Sequence, residues 1–89
     1  MISSYQIRAA RALLGLSAAA LAKRAGLSHR TLQRFEAQDG VPDSRLGNLD
    51  AIERTLTELG IRFIGDPLTS PGVQLRIPSA ADIEDKSGA

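Results

Sequence analysis

The chain has no cysteine and a single histidine. The first absence excludes disulfides, thiolate zinc sites and cysteine nucleophiles. The second leaves too few imidazoles for the usual histidine-rich metal sites. No apolar run is long enough to cross a bilayer, so no membrane role is expected. The opening residues, Met1 to Gln6, have neither the basic start nor the apolar run of a signal peptide, and the chain is expected in the cytoplasm. No internal repeat is evident. Carboxylates do not cluster and no nucleophile stands beside a base, so neither an enzyme nor a bound cofactor is expected. No small-molecule pocket is evident either.

The 89 residues allow one domain. A chain of this size buries only about 60–65% of its unfolded surface, and pairing with a second copy would bury more. Hydrophobic residues make up 43% and charged residues 24%, the balance of a chain that folds around a core in water. The net charge of +1 hides a division. Residues 1–38 carry Arg8, Arg11, Lys23, Arg24, Arg30 and Arg34 against Glu36 alone, whereas residues 39–89 carry five cations against nine carboxylates. A basic half turned to a polyanion, with an acidic half turned away, suits nucleic-acid binding.

Apolar periodicity predicts four helices, over residues 4–14, 18–25, 29–38 and 45–59. Ile7, Ala10, Arg11 and Leu14 share one face of the first, which Gly15 stops. Ser17 is a good N-cap for the alanine-rich second helix, and Ser28 for the third. Gly26 supplies the turn between those two. Residues 39–43 form a loop by composition. Ser44 is placed to cap the fourth helix, whose stripe is Leu46, Leu49, Ile52, Leu56 and Leu59. Beyond Gly60 the period changes. Residues 61–64 and 73–77 read as strands of a hairpin, with Ile61, Phe63, Val73 and Leu75 as its packing or dimer-forming residues. A lone hairpin is marginal in water, so it is expected to pack on the fourth helix or to pair with a second copy. Residues 78–89 read as a mobile acidic tail, with a short helix over 80–85 as the alternative. The fold class is therefore mostly α: a four-helix domain over residues 1–60 with a C-terminal β-hairpin over 61–77.

Two short helices joined by a glycine turn suggest a helix-turn-helix. The second helix must cross the third closely, which explains its small inner residues Ala18, Ala22 and Ala25. On the third helix Leu32, Phe35 and Glu36 are expected inside. The opposite face carries His29, Arg30, Gln33 and Arg34 with no acid. Arginine can bind guanine O6 and N7 through two hydrogen bonds, and Gln33 could read adenine. His29 can donate to a base or a phosphate, and Thr31 can reach either. The helix starts at Ser17 and Ser28 expose backbone N–H groups that suit phosphates. Arg8, Lys23 and Arg24 read as general basic surface. Arg62 and Arg76 read as the solvent side of the strands, and Asp50, Glu53 and Glu58 as the outer face of the fourth helix.

The runs Arg11-Ala-Leu-Leu-Gly-Leu-Ser17, Leu21-Ala-Lys-Arg-Ala-Gly26-Leu-Ser28 and Thr31-Leu-Gln-Arg-Phe-Glu36 resemble the DNA-binding domain of lambdoid phage repressors and the wider xenobiotic-response-element (XRE) family. The resemblance spans Ser4 to about Leu59. It implies a structural ion pair between Arg11 and Glu36, and base reading by His29, Arg30 and Arg34. It also implies phosphate contacts by Ser17 with the amide of Ala18, by Arg45, and by Arg11. This chain departs from the family at Ala18 and Ala20, where glutamine and glutamate are common, so the second helix is expected to hold phosphate through main-chain amides. The fifth helix of the phage repressors is replaced by the strands, which are similar to the tail of small bacterial XRE-type regulators. The expected function is a transcriptional regulator, a repressor in sign. It would bind an inverted-repeat operator in double-stranded DNA as a homodimer, on the nucleoid when bound. The competing reading is an antitoxin or antiactivator that binds a protein partner.

Overall fold

The computed structural model describes residues 1–43 and 47–77. Four helices precede a two-stranded antiparallel hairpin: α1 Ser4–Leu14, α2 Ala18–Ala25, α3 His29–Ala37, α4 Asn48–Glu58, β1 Ile61–Ile64 and β2 Gly72–Leu75. The mostly helical class with a C-terminal hairpin is thus the one that the sequence periodicity indicates.

α1 begins on a reciprocal cap. The Ser3 hydroxyl accepts from the Gln6 amide at 3.3 Å, and the Gln6 side-chain oxygen accepts from the Ser3 amide at 3.0 Å. Each bond satisfies a donor that a helix start leaves without a partner. α2 and α3 are capped by Ser17 and Ser28, whose hydroxyls accept from Ala20 N and Thr31 N, each at 3.1 Å. α2 ends at Gly26, which turns left-handed at φ 76° and lets Leu27 N reach back to Ala22 O at 2.9 Å. A side chain there would strain the backbone, so glycine keeps α2 and α3 at a tight angle.

α4 starts later than its apolar stripe suggests. The helix begins at Asn48, because Gly47 takes a left-handed φ of 70° and cannot continue a right-handed helix backward. Ser44, Arg45 and Leu46, and with them the expected side-chain cap and phosphate contact, lie outside the described residues. So do residues 78–89.

One core holds the elements together. Ile7 and Ala10 of α1, Leu21 and Ala22 of α2, Leu32 and Phe35 of α3, Ile52 and Leu56 of α4, and Ile61 of β1 are all buried. Ile2 joins them from before the first helix. At about 25 cal/mol per Å² these side chains supply most of the folding drive.

The hairpin pairs within the chain. Ile61 faces Leu75, Phe63 faces Val73 and Ile64 faces Gly72. Phe63, Val73 and Leu75 are half-buried against the core. β1 lies against α4 as expected, but the larger contact is between β2 and α1. The sequence offered α4 or a second copy as the support. The physical reason for the difference is Gln6. Its side-chain NH₂ donates to Gly72 O at 3.0 Å and to Ile64 O at 3.3 Å, tying the loop end of the hairpin to the first turn of α1. Asp66 organises the connecting loop by accepting from Leu68 N and Thr69 N at 2.8 and 2.9 Å. These bonds hold its carboxyl below the usual carboxylate range, the Thr69 amide most strongly and then Leu68.

Candidate nucleic-acid interface

α2, the Gly26 turn and α3 form a compact unit. Ala22 is fully buried, and Ala18 and Ala25 pack on the core, so α2 has no bulk to hold α3 away. On α3, Leu32 and Phe35 point inward at full burial, and Glu36 is 9% exposed. The turn of about 100° per residue then sends His29, Arg30, Gln33 and Arg34 outward, and all four are exposed. This face has two guanidiniums, an imidazole and an amide, and no carboxylate.

Arg30 and Arg34 are one turn apart and, with Thr31, line a shallow depression on the outer side of α3. The Arg34 guanidinium sits 5.6 Å from the centre of the Phe35 ring, so a buried aromatic backs an exposed cation. Thr31 is half-buried, and its hydroxyl accepts from the Ser28 hydroxyl at 2.8 Å. This bond holds the start of α3 together. Ser17 is exposed at the start of α2. Because its hydroxyl takes the Ala20 amide, the earlier amides, Ala18 among them, are directed out of the helix end. Each of the two helix starts carries the positive pole of its helix dipole.

Arg11 and Glu36 meet as the resemblance implied. Arg11 Nε donates to Glu36 Oε2 at 2.6 Å and Nη2 to Oε1 at 2.8 Å, a bidentate pair, while Nη1 donates to Leu16 O at 3.0 Å. The guanidinium is thus mainly occupied inside the protein, which leaves only its remaining N–H groups for any phosphate. Lys23 and Arg24 lie exposed in the last turn of α2.

Two polar residues have roles that the sequence reading missed. Gln6 is 2% exposed and clamps the hairpin. The spacing Ser3-x-x-Gln6 before an apolar run is a capping-box signature that could have placed it. Arg8, read as general basic surface, donates through Nη1 to Glu36 O at 2.6 Å. Its position three residues before Arg11, on the same side of α1, was the available signal. Arg45 lies outside the described residues. Among the described residues, no group of His, Asp and Glu is placed to hold a metal ion, and no helix is long and apolar enough to cross a membrane.

A short helix crossing a second helix whose outer face is cationic defines a class, the helix-turn-helix proteins that bind double-stranded DNA. The chain matches the model of the helix-turn-helix family of XRE type over residues 7–57. It belongs to that family of DNA-binding transcription regulators. No curated protein matches the chain closely.

Proposed function

We propose that this protein is a sequence-specific repressor that binds an inverted-repeat operator as a homodimer, with α3 of each copy in a major groove. The observation that carries this reading is the outer face of α3, where His29, Arg30, Gln33 and Arg34 are exposed with no acid among them. Arg30 and Arg34 read guanine through O6 and N7, Gln33 reads adenine, and His29 donates to a base at the head of the helix. Ser17 with the Ala18 amide, Ser28 and Thr31 fix the register on phosphates, assisted by Arg45 and the spare N–H groups of Arg11.

Twofold symmetry sets two such helices on half-sites about 34 Å apart. The hairpin leaves the reading face clear, since it leans on α1 and α4 rather than on the outer face of α3. Repression follows from occupancy, because a dimer across a promoter excludes polymerase. The site of action is the cytoplasm, on the nucleoid when bound.

The test is selection of duplexes from a random library by the full chain, followed by footprinting on the selected sequence and native mass measurement of the complex. A symmetric protected site holding two copies is expected. Absence of any enriched sequence would overturn the reading, and an asymmetric site holding one copy would overturn the homodimer part of it.

A further inference from the structure

α1 and α2 end on left-handed glycines, at Gly15 and Gly26. α3 does not: its C-cap, Gln38, is extended, with φ −82° and ψ 145°. The end of the recognition helix therefore lacks the glycine turn of the other two, and its own backbone cap bond runs from Gln38 N to Phe35 O at 3.3 Å, which does not reach Glu36 O. Arg8 takes that place from another helix. Its Nη1 donates to Glu36 O at 2.6 Å across 28 residues of sequence. A cation at the carbonyl end of a helix also opposes the negative pole of the helix dipole.

Arg11 holds the carboxylate of the same residue, at 2.6 and 2.8 Å. Leu32 and Phe35 seat α3 on the core, and the bidentate Arg11 pair fixes the Glu36 side chain, which leaves the backbone at the helix end as the point that Arg8 holds. Bonds to the side chain and to the backbone of Glu36, from two arginines on one side of α1, define a direction. Arg8 is itself steadied, because its guanidinium lies 5.4 Å from the centre of the Tyr5 ring one turn earlier. The chain of contact runs from Tyr5 to Arg8 to the end of α3, the helix whose outer face carries the reading side chains.

We infer that Arg8 is a positioning residue for DNA reading: by bonding the Glu36 carbonyl it sets the angle of α3 in the groove, and it does so without touching DNA. The inference rests on the reading of α3 as the recognition helix. A misdirected recognition helix loses base contacts before it loses phosphate attraction, since base hydrogen bonds need close alignment and charge attraction does not.

The experiment compares the wild type with Arg8→Ala, Arg8→Lys and Tyr5→Phe. The probes are the duplex selected by the wild type from a random library and a scrambled duplex of equal length, titrated over a range of salt. Arg8 is exposed, so the variants are expected to keep the helical circular-dichroism signal. Arg8→Ala should lower the selected-over-scrambled affinity ratio by about tenfold for each bound copy, the scale of one lost charge-assisted hydrogen bond per subunit. The salt slope should stay unchanged, since no phosphate contact is removed. Arg8→Lys should restore part of the ratio, and Tyr5→Phe, which keeps the ring, should leave it intact.

A salt slope reduced by about one for each bound copy, with equal loss on both duplexes, would make Arg8 a phosphate contact and overturn the inference. A lower melting temperature with an unchanged ratio would overturn it as well, leaving only a structural cap. If the wild type selects no sequence at all, the proposed function fails first and the inference falls with it.

Discussion

Glu36 accepts from α1 twice over, its carboxylate from Arg11 at 2.6 and 2.8 Å and its carbonyl from Arg8 at 2.6 Å. The Glu36 side chain is only 10% exposed and that of Arg11 23%, so water shields the pair weakly. Removing one partner leaves a charge that burial penalises. Glu36→Ala should therefore destabilise the fold by about 2–3 kcal/mol, seen as a fall of about 10–20 °C in melting temperature. A shift of a degree or two would show that the pair does not brace α3.

Gln6 is the second brace. Its side chain makes two bonds to the hairpin and one to its own helix cap. Gln6→Glu keeps the size and the acceptor for Ser3 N, but it puts a carboxylate where Gly72 O and Ile64 O need a donor. The expected cost is about 1–3 kcal/mol. Hydrogen exchange should show where it falls, with amides of β1 and β2 opening faster and those of α2 and α3 little changed. Uniform acceleration would mean that the hairpin and the helical core unfold together.

The glycine turns separate two costs of adding a side chain. At Gly26 a methyl group would meet nothing within 4 Å, so only the left-handed backbone at φ 76° is strained. Gly26→Ala should cost about 1–2 kcal/mol. At Gly65 the backbone is equally left-handed, and the methyl group would also run into the Ser70 carbonyl. Gly65→Ala should be the more damaging substitution, with the loss concentrated in the hairpin. Denaturant unfolding of the two variants gives the comparison, and an equal cost would show that the 66–70 loop gives way freely.

Acid should act on the same loop. The Thr69 and Leu68 amides hold the Asp66 carboxyl below its ordinary value, so the folded loop prefers the charged form. The stabilisation is present at pH above the unfolded carboxyl's pKa and is lost as pH falls through the lower, folded one. Asp66→Asn keeps an acceptor oxygen but cannot titrate. Nuclear magnetic resonance of the Leu68 and Thr69 amides should show an acid transition in the wild type that is missing in the variant. The same transition in both would assign it to another group.

Much of this was legible in the sequence because it is local. Ser17 and Ser28 at the helix starts, with Gly26 between the two helices, mark the helix boundaries through short-range chemistry. The inward placing of Leu32, Phe35 and Glu36 follows from helical period alone. The Arg11–Glu36 pair came from the family resemblance, and the inward face of each residue agreed with it. What was not legible depends on distant partners or on backbone angles. The capping-box spacing marks Gln6 as part of the helix start, and the spacing of Arg8 to Arg11 marks a shared side of α1, but neither local signal names the distant carbonyls of Gly72, Ile64 and Glu36 that they meet. The start of α4 was misplaced because the apolar stripe runs past Gly47, while the left-handed backbone there stops the helix.

The central claim is that the outer face of α3 reads bases, and Arg34 is one of the two arginines that carry it. The most direct measurement is the affinity of Arg34→Ala, against the wild type, for the selected duplex and for a scrambled duplex at one salt concentration. The expected result is a loss of about 1–3 kcal/mol per half-site on the selected duplex, doubled for the dimer, a much smaller loss on the scrambled one, and relaxed preference at a single base pair in each half-site. An equal loss on both, with sequence preference intact, would make Arg34 a phosphate contact and contradict the claim.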